Sequence, residues 1–156
     1  MAEYRGSQII AEYLIKEKIP YIIGYAGHGA IGLLDGIYDH TDKIQVIWPR
    51  VEQAAGFMAD VYFRLTGVAL PVYVSTGPGP MNLTIALANA FYDSSAFLAI
   101  TGQVTTDQFD TGALQEEYRY FPGDFTSVIK PIVKRSWQVR KVEELADSLC
   151  RHGLEA

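Results

Sequence analysis

The sequence predicts an α/β fold: a central parallel sheet flanked by helices on both faces, as a single domain over residues 1–156. Three observations carry that expectation. Short apolar, β-branched runs alternate with stretches whose apolar residues recur at helical spacing. Glycine-rich turns stand between a run and the stretch that follows it, which is the order of a parallel sheet with crossover helices. The chain of 156 residues, 49% hydrophobic and 20% charged, is long and apolar enough to bury a core.

In chain order, 7–17 places Ile9, Ile10, Tyr13 and Leu14 on one helical face, with Ser7 as its cap. The run 21–25 is the first strand and leads into the glycine turn GYAGHGAIG, after which 30–38 is helical. A short strand over 44–48 breaks at Pro49. From Glu52 onward Ala54, Ala55, Met58, Val61, Tyr62 and Leu65 form an apolar helical face stopped by Gly67. Residues 68–75 read as a strand despite Pro71 and run into STGPGPMN, followed by a helix over 81–92. A strand at 96–101, a polar loop and a last helix at 142–151 complete the expected elements.

Composition narrows the function. A net charge of −5 and a pI near 5.1 are those of a chain without the overall basic charge that draws nucleic acid. The basic run Lys130, Lys134, Arg135, Arg140 and Lys141 is expected to be an ordinary solvated face. Cys150 is the only cysteine, and His28, His40 and His152 match no metal-ligand spacing. No signal peptide and no membrane-length apolar run stand out, so a cytoplasmic location is the expectation.

In a parallel sheet, ligands bind beyond the carboxyl ends of the strands. The segments 25–29, 49–52 and 76–82 all follow strands and should therefore share one edge. Gly27, Gly29 and Gly32 formally meet the dinucleotide spacing, yet the next strand ends in IWPR with no acid for a ribose, which argues against that ligand. His28 lies between two of these glycines, as a turn residue or as an acid/base. Glu52 has two readings of its own. It is either a first-turn acid favoured by the helix dipole or a desolvated carboxyl among Val51, Ala54, Ala55 and Gly56.

PRVEQAAGFMADVYFRLTG, STGPGPMN, AFYDS, TGQV and GALQE, in this order, resemble the pyrimidine-binding (PYR) domain of thiamine diphosphate enzymes, nearest to the acetolactate synthase-like branch. The resemblance runs from about residue 4 to residue 142. It implies thiamine diphosphate as cofactor and Glu52 as the catalytic carboxyl against N1′ of the aminopyrimidine. There Glu52 would favour the 4′-imino tautomer that deprotonates the thiazolium C2. By the same match Tyr25, Gly27, Pro78, Asn82 and Gln115 are cofactor- or substrate-binding, and 25–29 forms the turn over the reactive centre. The implied substrate is a 2-oxo acid such as pyruvate, decarboxylated or joined to an acceptor.

The chain departs from that branch in two ways. AGH at 26–28 stands where acetolactate synthases usually carry Pro-Gly-Gly, and Leu114 stands in place of Phe. The GHG stretch is closer to the branch that hydrolyses cyclic diones, in which His28 would act as acid/base. The Gly-Asp-Gly of the diphosphate-binding domain has no counterpart, since Gly123-Asp124 is followed by Phe125. The Mg²⁺–diphosphate half and the middle domain are thus expected on a partner chain or a missing domain, with the active site at an interface of a homo- or hetero-oligomer. Apolar surface is expected on the helices after Glu52 and after Gly79. A start at Met1 and an end after a complete helix slightly favour a separate subunit over a fragment. A non-catalytic assembly module with this fold is the competing class.

Overall fold

A computed structural model describes residues 4–112, 115, 125–152 and 154. Four parallel strands, β1 (Tyr21–Gly24), β2 (Gln45–Ile47), β3 (Pro71–Val74) and β4 (Leu98–Thr101), form one sheet in the order β2-β1-β3-β4. Helices α1 (Gly6–Lys16), α2 (Ile31–Tyr38), α3 (Glu52–Thr66), α4 (Pro78–Tyr92), α5 (Phe125–Ile129) and α6 (Leu145–His152) surround it. The crossover through α2 runs from β1 outward to β2, whereas those through α3 and α4 run the other way across the sheet. Right-handed crossovers therefore put α2 on one face and α3 with α4 on the opposite face. The contacts agree, since α1 packs on α2 and α6, and α3 packs on α4. The order reverses between β1 and β3, so the crevice where ligands enter such sheets opens at their carboxyl ends.

The core is the usual product of this layering. Ile22, Ile23, Val72, Tyr73 and Val74 of the two central strands are buried, sealed by Ala55 and Ala59 of α3, Leu83 and Ala86 of α4 and Leu14 of α1. All four residues of β3 are buried, as in a strand covered on both faces. Small residues let α3 and α4 approach closely: a Cβ on Gly56 would stand 2.4–2.8 Å from Ala86 and Leu83.

A buried polar network fixes the same pair of helices. Asp60 is buried on α3 and accepts hydrogen bonds from Arg64 Nε and Nη2 at 3.0 and 3.1 Å and from Asn89 Nδ2 of α4 at 3.0 Å. Arg64 also reaches Asp93, beyond the end of α4, at 2.6 Å. Burial pushes the Asp60 carboxyl pKa up, but the hydrogen bonds and charge around it, from Arg64 above all, outweigh that and hold it below the usual carboxylate range.

Several local expectations shift. Arg5, not Ser7, is the N-cap of α1: Gln8 Oε1 accepts from the Arg5 N–H at 2.9 Å. Ser7 is instead inside the helix and packed against Gly36 of α2, where a Cβ would lie 2.5 Å from that of Ser7. The fourth helix starts at Pro78 rather than at residue 81. Pro78 and Pro80 both fit the first turn, where the missing N–H groups would be unpaired anyway. Strand β3 begins at Pro71, the one strand position an interior proline tolerates. The helix expected at 142–151 is a 3₁₀ turn, Val142–Glu144, that passes into α6. Sequence reading missed α5, a short helix that buries Phe125 and Ile129 one turn apart. All five members of the basic run are exposed, as expected of a solvated face.

Candidate functional site

Glu52 is the first residue of α3, entered from an extended Val51. It stands half-buried at the carboxyl edge of the sheet. Across from it, α4 begins after Gly77, whose φ of +62° and ψ of −109° are open to glycine alone at low cost. That turn aims α4 so that Asn82 Nδ2 donates to Glu52 Oε2 at 3.1 Å. The second carboxylate oxygen, Oε1, lies 3.6 Å from where a Cβ on Gly79 would be. A side chain at position 79 would thus stand in contact with that oxygen, and the bare glycine spares it that contact.

From Gly79 the site continues into the β1 turn. The Cβ position of Gly79 is 3.9 Å from Ser75 Cβ, and Ser75 Oγ accepts a hydrogen bond from the Gly29 N–H at 3.1 Å. A Cβ on Gly27 would meet Ser75 at 2.5 Å, and one on Gly29 would meet Thr76 at 2.8 Å and Gly102 at 3.3 Å. Only glycines permit the loops after β1, β3 and β4 to touch this closely. Backbone 27–29 is thereby clamped to two neighbouring loops while the His28 side chain stays exposed on the rim. Tyr25, at the entry to the same turn, is 46% exposed.

Gln115 reaches the site from the far loop. It holds a positive φ of +64°, and its Cβ and carbonyl oxygen would lie within 2.8–2.9 Å of a Cβ on Gly77. The residues expected from the sequence therefore converge: Glu52 with Asn82, Pro78 beside Gly77 and Gln115, and Tyr25, Gly27 and His28 in the clamped turn. Leu114 and Gly123-Asp124 lie outside the described residues. Sequence reading missed Ser75, which joins the Glu52 side to the histidine turn. Its only signal was a small hydroxyl residue at the end of a strand just before the glycine–proline turn. Among the described residues no group of three His, Cys, Asp or Glu side chains could hold a metal ion.

One aromatic pair borders this edge. Trp48, after β2, stands edge-on to Tyr73 with ring centroids 6.2 Å apart. The Tyr73 ring lies over Gly24, where no Cβ would fit. Among the described residues its buried hydroxyl has no hydrogen-bond partner, and burial pushes its pKa up to about 12.

Comparison with known proteins gives the family. The family described as the thiamine pyrophosphate enzyme N-terminal TPP-binding domain matches residues 4–122. The mitochondrial acetolactate synthase catalytic subunit of Saccharomyces cerevisiae is 34% identical over 140 residues, 90% of this chain and 19% of its own. The acetolactate synthase large subunit of Haemophilus influenzae is 34% identical over 150 residues, 96% of this chain and 25% of its own. The probable acetolactate synthase large subunit of Methanocaldococcus jannaschii is also 34% identical, over 144 residues, 92% of this chain and 23% of its own. The chain thus spans about a quarter or less of the length of these relatives. With four parallel strands in one sheet and a family match over residues 4–122, the chain belongs to the family of thiamine pyrophosphate enzyme N-terminal TPP-binding (PYR) domains.

Proposed function

We propose that this chain is the cofactor-activating half of a thiamine diphosphate enzyme acting on a 2-oxo acid such as pyruvate, by decarboxylation or carboligation. The observation that carries the reading is the Glu52–Asn82 pair. Asn82 occupies one carboxylate oxygen and orients the group, while the other takes no bond from Asn82 and is the one the reading assigns to the ring nitrogen. A bound thiamine diphosphate would supply the electron sink for cleaving the bond next to the substrate carbonyl. Glu52 would hold or share a proton with the aminopyrimidine of the bound cofactor, a task suited to a carboxyl already half-buried in this chain. Gln115 and Pro78 would border the ring on the α4 side, and the 25–29 turn, clamped at 27–29, on the other.

The Mg²⁺–diphosphate half is supplied by a partner domain or subunit. Its docking surface is the apolar stripe next to Glu52: Met58, Val61 and Leu65 on α3 with Met81 and Ile85 on α4, all exposed. The test is to mix the chain with a diphosphate-binding partner, thiamine diphosphate, Mg²⁺ and pyruvate. Turnover in the mixture that Glu52→Gln lowers by roughly 10²–10⁴-fold, with assembly intact, supports the assignment. Full turnover by Glu52→Gln would refute the role of the carboxyl.

A second reading draws on the exposed His28 held between two clamped glycines. That placement suits hydrolytic cleavage of a cyclic dione, with His28 delivering or taking a proton. Assaying cyclohexane-1,2-dione beside pyruvate decides between the two. Loss of dione cleavage in His28→Ala, with pyruvate turnover unaffected or absent, favours the hydrolase. Assembly with a partner but no turnover of either substrate would leave the non-catalytic module.

A further inference from the structure

On the helix layer opposite α3 and α4, a recess of about 490 Å³ opens where α2 meets the β2 edge of the sheet. Leu34 and Tyr38 of α2, Thr41 of the turn that follows, Gln45 and Val46 of β2, and Trp48 line it. Its size is that of a small-molecule site. Two of its residues are aromatic and open to solvent, Tyr38 at 76% and Trp48 at 56% exposure. Trp48 is not a loose surface ring, because its edge-on contact with the buried Tyr73 fixes where it stands.

The backbone adds a polar feature. The Gln45 N–H donates to the Pro20 carbonyl at 2.9 Å, so Gln45 and Ile47 face β1 in the parallel ladder. Val46, between them, directs its N–H and C=O outward, and among the described residues no strand lies beyond β2 to pair with them. Strand β2 is three residues long, so this edge offers one donor–acceptor pair, not the repeated pairs that hold a docked strand. One such pair matches the rim of a single planar ring. Charge narrows the ligand further. Asp39 and Asp42, both exposed, adjoin Tyr38 and Thr41 and outnumber Lys43, and the C-terminal end of α2 adds partial negative charge.

We infer that this recess binds a planar heteroaromatic ring of the nucleobase class that carries no negative charge. The ring stacks on the exposed aromatic side chains, and its donor–acceptor edge meets the N–H and C=O of Val46. Stacking supplies affinity, since every base presents a π-face to an aromatic side chain. The Val46 pair, with the side chains of Thr41 and Gln45, selects among rings by their hydrogen-bonding edges. The acidic surroundings favour a free base or nucleoside over its phosphate. This site stands apart from the Glu52 reading, because it needs neither thiamine diphosphate nor a partner domain.

The probes are adenine, cytosine, adenosine and AMP, added to the 156-residue chain while NMR follows the Val46 amide and the Trp48 indole. At least one of the uncharged probes should shift both resonances saturably at millimolar concentration or below, and AMP should bind more weakly than adenosine. Tyr38→Ala, which removes an exposed ring, should weaken that binding about tenfold with unchanged circular dichroism. Asp39→Asn with Asp42→Asn should narrow the gap between adenosine and AMP. The inference is overturned if no probe shifts Val46 and Trp48, or if Tyr38→Ala leaves the affinity unchanged. It is also overturned if the shifts fall on Asn82 and Gln115, which would put the ring at Glu52. A shift produced by raising the protein concentration alone would make the occupant a second copy and overturn it as well.

Discussion

Tyr73 is the residue whose energetics the sequence conceals most completely. As a strand residue between valines it reads as ordinary core, yet among the described residues its buried hydroxyl has no partner. An unpaired buried hydroxyl costs about 1–3 kcal/mol. Tyr73→Phe keeps the ring over Gly24 and against Trp48 and should stabilise the chain, raising its melting temperature by about 2–4 °C per kcal/mol gained. The raised pKa gives a second readout. The unfolded tyrosine ionises near 10 and the folded one near 12, so stability is fully present below pH 10 and falls as pH rises through 12. Urea midpoints at pH 9 and pH 11 should show that fall in the parent and a smaller one in Tyr73→Phe. Gly77 offers the complementary case. Gly77→Ala would meet both an unfavourable φ and the backbone of Gln115, costing about 1–3 kcal/mol. Its specific signature is an altered environment at Gln115 and Asn82, visible as shifted side-chain amide resonances.

At the level of elements, the pairing of α3 with α4 decides where Glu52 points. The Asp60–Arg64–Asn89 network locks that pairing near the ends of the helices away from the site. Asp60→Ala removes charge-assisted hydrogen bonds and should destabilise by about 2–3 kcal/mol, measured by urea unfolding. It should also alter the Glu52–Asn82 contact through the shared helix interface. Since the folded Asp60 titrates below its ordinary value, its contribution is present above pH 4 and is lost as pH falls through the lowered pKa. The parent should therefore lose stability between neutral pH and pH 3 more steeply than Asp60→Asn. The glycine contacts of the β1 turn obey the same logic. Gly27→Ala would push that turn off Ser75 and move His28 with it.

Across the whole molecule, one set of exposed apolar residues falls on a single helix pair. Met58, Val61 and Leu65 recur along α3, and Met81 and Ile85 along α4, all on the layer that begins at Glu52. Helical stripes of this kind are costly on an isolated chain and suited to a partner surface. Met58→Lys with Ile85→Lys should leave the fold intact and reduce association of the lone chain in sedimentation experiments. The same pair should prevent rescue of turnover by a diphosphate-binding partner. Among the described residues, no helix is long and apolar enough to cross a membrane.

Periodicity and glycine placement made most of this architecture legible, because strand and helix impose different spacings on apolar residues and few residues other than glycine turn a chain after a strand. The order of five motifs made the family legible, and from that resemblance came the proposal that Glu52, Asn82 and Gln115 belong to the site. Boundaries failed where local chemistry is ambiguous. Two prolines read as a loop when they are a helix's first turn, and a serine read as a cap when its role is packing against Gly36. The sequence by itself determined which residues could form the site, since residue types and spacings are written in it. Tertiary structure alone decided that Asn82 holds one Glu52 oxygen and that Ser75 clamps the histidine turn. Each of these depends on which strands become neighbours, a choice made by the packing of distant segments that no local pattern records.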